Sequence, residues 1–137
     1  QPLADNQAGW DWVSLHLSDG SAFMVYQLRH DSGEHYISGS WVSESGEVTV
    51  LEAGDVTMTP QSVTRLTITN AVGGREKSSI KAIPLDWRVQ APKLGIDISV
   101  TTDRPQSWLA TIFPYWEGPV VVQGSHQGVG YLELTGY

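Results

Sequence analysis

The sequence predicts an all-β fold: an antiparallel β-barrel of about ten strands. Three observations carry this. Short runs rich in Val, Ile, Thr, Trp and Tyr recur between turns built from Gly, Pro, Asp and Ser, which is the spacing of a sandwich or barrel. No stretch keeps a helical period. About ten strands in 137 residues exceed what a flat open sheet of this length carries, so the sheet is expected to curl and close.

Residues 1–8 are polar and irregular, an arm or linker remnant, and residues 9–137 are expected to form a single barrel domain. Gly9 opens a strand over 10–17, where aromatic and β-branched residues favour extended backbone. Ser18-Asp19-Gly20 turns the chain into residues 21–30, the second arm of a hairpin. Both arms are apolar on both faces over part of their length, as in a barrel whose outer face is covered. After the turn at 31–34, residues 35–43 form a strand in which Gly39 marks a bulge or bend. A turn at 44–47 leads to short strands at 48–51, 55–59 and 63–69, separated by Gly or Pro. Residues 71–79, with paired glycines, read as a mobile loop tip. Residues 80–83 reach Pro84. Leu85, Trp87 and Val89 then alternate with Asp86, Arg88 and Gln90, and Ile96, Ile98 and Val100 alternate with Asp97, Ser99 and Thr101, two half-buried strands joined at Pro92-Lys93. A further strand over 107–113 precedes the closing pair.

That pair, residues 115–137, carries the densest aromatic and acidic clustering. Strand alternation puts Trp116, Val120, Val122, Leu132 and Leu134 on one face, and Tyr115, Glu117, Tyr131, Glu133 and Tyr137 on the other. The first face suits a core; the second suits a ligand surface or an interface. In the first strand Trp10, Trp12 and His16 share a face and Asp11 takes the opposite one.

A net charge of −7 and a pI near 4.8, with eight scattered Lys and Arg, argue against nucleic acid as a partner. There is no cysteine, which excludes disulfides and thiolate chemistry. No apolar run approaches the roughly 20 residues of a membrane-spanning helix, and no leader precedes Gln1. His16, His30, His35 and His126 lie at no metal-ligand spacing, so no metal or cofactor is expected. Ser14, Ser38 and Ser125 sit in no nucleophile elbow. For acid and base work the candidate is a carboxylate pair, Glu117 with Glu133 or Asp11; the alternative is that Glu117 answers Arg29 or Arg88 or simply faces water. Above background stands the aromatic content, six Trp and five Tyr, which suits apolar ligands and sugars and equally suits core.

Residues 9–17, GWDWVSLHL, continuing through Asp19-Gly20 to Tyr26-Gln27-Leu28-Arg29, resemble the opening of the second domain of AttH-type lipocalin-like proteins, relatives of carotenoid hydratase (hydroxyneurosporene synthase). Tyr115-Trp116-Glu117-Gly118 and the terminal run from Gly130 to Tyr137 are similar to that family's closing signature, and Trp87-Arg88-Val89 followed by Pro92 and Leu94-Gly95 to its middle. Ile83-Pro84 departs from the Tyr-Pro common in relatives. The resemblance implies a lipocalin-like barrel, one of two in tandem, extracytoplasmic or secreted, in a family whose members include hydratases, cyclases and predicted hydrolases. By resemblance the GWDW residues 9–12 and the YWEG residues 115–118 contribute to a pocket or to the domain junction. The reading adopted is binding of a lipophilic small molecule, with Trp10, Trp12, Tyr26, Tyr115, Trp116 and Tyr131 as walls, not all of which can face inward by alternation, and Gln27, Arg29 and Glu117 orienting a polar end. A second lipocalin-like domain or a homodimer is the expected protein partner. For this domain alone catalysis is not expected. The competing readings are a hydratase or cyclase acting on an unsaturated lipid through Glu117 or Asp11, and a carbohydrate-binding β-domain.

Overall fold

The computed structural model describes residues 7–109 and 115–137, with the side chains of Gln7, Asn70, Val72, Trp108 and Leu109 outside the description. Ten strands follow in chain order: β1 (Gln7–Leu17), β2 (Ala22–His30), β3 (His35–Val42), β4 (Val48–Leu51), β5 (Thr57–Val72), β6 (Arg75–Ala91), β7 (Ile96–Thr101), β8 (Trp108–Leu109), β9 (Tyr115–Gly124) and β10 (Gly128–Thr135). A 3-10 turn, Pro92–Leu94, joins β6 to β7. Among the described residues no helix is long and apolar enough to cross a membrane.

The strands pair in the order β4-β3-β2-β1-β10-β9-β7-β6-β5, with β8 added beside β9. This is the chain order run around a circle: β10 returns to pair antiparallel with β1, Trp12 opposite Glu133, and the circle is left unpaired at a seam where β4 and β5 are the edges. An isolated bridge between Ala53 and Val56 lies within the connection from β4 to β5. Side chains from both edges, Leu51 and Met58, join the same buried cluster as Val13 of β1 and Leu132 of β10. A sheet can bring its two edges onto one core only by curling, so the fold is barrel-like.

Period-two alternation builds that core. Val13, Leu15 and Leu17, Phe23 and Val25, Leu85, Trp87 and Val89, Ile96, Ile98 and Val100, Val120 and Val122, and Leu132 and Leu134 all turn inward. The two interior indoles keep their N–H groups satisfied: Trp87 Nε1 donates to the Pro84 carbonyl at 2.7 Å and Trp116 Nε1 to that of Pro105 at 2.8 Å. Gly118 follows from Trp116, since a Cβ there would lie 2.8 Å from the indole ring.

Several local expectations change. The separate strands at 55–59 and 63–69 are one strand, β5, which passes Pro60 with register shifts on both sides of Ser62. Pro60 is tolerated because β5 is an edge, where a missing N–H costs no ladder bond. The loop expected over 71–79 contracts to the two-residue turn Gly73-Gly74, with φ of +59° and +76°, and Arg75 already begins β6. Gly39 marks no bulge. The β2–β3 register runs through it unbroken, and a Cβ there would collide with the Met24 carbonyl, so the requirement is close backbone approach. β1 begins at Gln7, within the segment read as an arm. Of the strand expected over 107–113, β8 covers two residues and 110–114 lie outside the described residues.

Candidate functional site

The outward face of β2, β1, β10 and β9 gathers the polar and aromatic side chains. One row across the sheet, set by register, runs Tyr26, Trp12, Glu133, Glu117. The next rows add Met24, Ser14, Tyr131 and Pro119, then His16, Val129 and Val121. This face is only partly covered: Tyr131 is 52% exposed, Val129 60% and Val121 42%.

Two adjoining depressions cross it. One of about 370 Å³ is lined by Trp12, Ser14, His16, Glu117, Gly130 and Tyr131. The other, about 450 Å³, takes in His16, Pro119, Val121, Val129 and Tyr131 and ends against Asp103 and Arg104. Sharing His16, Gly130 and Tyr131, they form one groove over β1, β10 and β9 with a polar aromatic end and an aliphatic end. Trp10 Nε1 donates to Glu133 Oε1 at 3.1 Å beside the polar end. The Glu117 carboxylate has no hydrogen-bond or ion-pair partner among the described residues. Nor does a hydrogen bond join Ser14 to His16 there, as an activated serine would require.

The inward face holds a second polar group at one end of the barrel. Asp11 is fully buried, and its Oδ2 accepts from Gln27 Nε2 at 3.1 Å and Arg29 Nε at 3.0 Å, while Oδ1 accepts from the Tyr137 hydroxyl at 2.7 Å. The Arg29 guanidinium also donates to the Thr135 carbonyl and lies 4.1 Å above the centre of the Tyr137 ring. Lys81 Nζ donates to the Tyr137 carbonyl oxygen at 2.9 Å. Burial pushes the Asp11 carboxyl above the usual carboxylate range, against the pull of the Arg29 charge and of the donated hydrogen bonds. Burial and then the Asp11 charge push the Tyr137 phenol well above the ordinary tyrosine value, which keeps it a proton donor.

The structure therefore divides the residues singled out from the sequence. Trp12, Glu117 and Tyr131 meet in the groove; Trp10, Tyr26 and Tyr115 lie on the same outward face beside it. Trp116 turns into the core. Gln27 and Arg29, read as orienting a ligand, serve Asp11 instead, and no part of Asp11 reaches solvent. Arg29 and Arg88 are not partners of Glu117, since Arg88 pairs with Asp97 at 2.8 Å. Tyr137 changes face: Gly136, at φ +89°, breaks the alternation and swings the last ring onto the side of Asp11. Sequence reasoning passed over His16, Val121 and Val129 as groove residues, although alternation from Trp12 and Tyr131 puts all three on that face. Among the described residues no three His, Cys, Asp or Glu side chains could hold a metal ion.

The AttH-like family matches residues 1–137. The crystal structure of a candidate AttH protein from Nitrosomonas europaea is similar over 100% of this chain, with 30% identity and a TM-score of 0.81, and the chain spans 41% of that protein. No curated protein matches the chain with significance.

Proposed function

The chain belongs to the AttH-like family, and from that premise we propose that it is one lipocalin-like barrel of a longer protein and binds a lipophilic small molecule in the groove over β1, β10 and β9. The carrying observation is the groove itself, whose aliphatic end leaves Val121 and Val129 exposed in the row beside the Pro119 and Tyr131 pair. Its volume falls in the range of small-molecule sites. A ligand removing about 200 Å² of apolar surface from water gains about 5 kcal/mol before ordering costs, enough for a usable affinity. The inward face offers fewer polar groups to a ligand: it is lined by the aliphatic cluster around Trp87 and Trp116, and its Asp11 group is already satisfied by Gln27, Arg29 and Tyr137.

The test is a titration with an apolar dye such as 1-anilinonaphthalene-8-sulfonate or with retinol, followed by tryptophan emission. We expect saturable quenching in the native chain, most of it lost in Trp12→Ala. Quenching that survives in Trp12→Ala places the ligand elsewhere.

A further inference from the structure

We infer that the polar end of the groove is a receptor for an organic cation, so that the ligand is an amphiphile with an ammonium-type head and an apolar tail. The inference rests on the small-molecule reading above and adds the chemistry of the head. Glu133 of β10 and Glu117 of β9 stand directly opposite each other on the outward face, an arrangement of like charges that costs stability unless something positive joins it. Nothing in the described chain does so. Trp10 donates one neutral hydrogen bond to Glu133, Glu117 receives none, and neither carboxylate forms an ion pair among the described residues. Among the described residues the wall of the depression at this end holds no Lys or Arg, and His16 stands two rows along β1 from Trp12 with no ion pair to either carboxylate; Arg104 belongs to the far end, where Asp103 accompanies it.

The rest of the wall suits the same guest. Trp12, opposite Glu133, and Tyr131 present aromatic rings to the depression that Glu117 lines. Aromatic faces and carboxylates together attract a weakly hydrated ammonium by ring quadrupole and by charge, whereas a carboxylate or sulfate head would be repelled. A tail running from that head over Gly130 would reach Val129, Val121 and Pro119 at the aliphatic end.

The experiment compares octyltrimethylammonium, octanol and octanoate, each below its micelle concentration, by tryptophan fluorescence at low salt. We expect the ammonium to bind about tenfold more tightly than octanol and octanoate most weakly, with the preference shrinking in high salt. In Glu117→Gln, and separately in Glu133→Gln, the ammonium-to-octanol ratio should fall toward one, with the circular dichroism of each variant checked against the native chain. Equal binding of the three probes, or a preference for octanoate, overturns the cation inference while leaving an apolar groove in place. Absence of binding by all three overturns both.

Discussion

Asp11 illustrates how a single residue can bind distant strands together. Its carboxylate accepts from Gln27, Arg29 and Tyr137, which lie 16, 18 and 126 residues away in the chain. Removing it leaves a largely buried guanidinium, an amide and a phenol without their acceptor, so Asp11→Ala should cost about 3–5 kcal/mol in urea denaturation, the loss typical of breaking a buried charge pair from one side. The pH dependence has a definite sign. The folded carboxyl is raised above its unfolded value, so the folded chain holds that proton more tightly, and this contribution is complete below about pH 4 and lost as pH rises through the folded value. Comparing urea midpoints of the native chain and Asp11→Asn, the native midpoint should fall relative to the variant's on raising the pH through that window. The opposite trend would mean that Arg29 outweighs burial.

Whole elements follow from the fit of neighbours. β9 carries Trp116 inward with Glu117 outward, and Gly118 leaves room for the indole; Gly118→Ala should destabilise by about 1–3 kcal/mol and shift the Trp116 emission, because the added methyl must displace a fully buried ring. Unchanged stability and emission would show that the ring has slack. The strands that alternation reveals cleanly, 85–89, 96–100 and the closing pair, were legible because each has one wet and one dry face. β5 was not, because whether Pro60 ends a strand depends on its being an edge, and edge status is decided by pairing with residues far along the chain. Tyr137 was misplaced for a related reason: a count of two per step cannot register the positive φ at Gly136.

For the molecule as a whole, the curled sheet separates two kinds of surface: an interior of aliphatic side chains with the buried Asp11 group among them, and an outward aromatic and acidic groove. The sequence disclosed both faces, but the expectation that the aromatic and acidic side encloses the space is corrected: the aliphatic side faces inward and Tyr131 is 52% exposed, and period-two alternation is the same whether rings point into a barrel or away from it. Trp12, Glu117 and Tyr131 were identifiable; their separation from Gln27 and Arg29 was not, because which face of β2 joins the Trp12 face of β1 is set by the register that puts Tyr26 opposite Trp12 and Gln27 opposite Asp11. The most direct measurement is backbone and side-chain NMR shift mapping with octanol or octyltrimethylammonium as probe. The account predicts perturbations concentrated at Trp12, Ser14, His16, Glu117, Val129 and Tyr131, with Val13, Val25 and Leu132 unmoved; perturbations centred on those interior residues would contradict it.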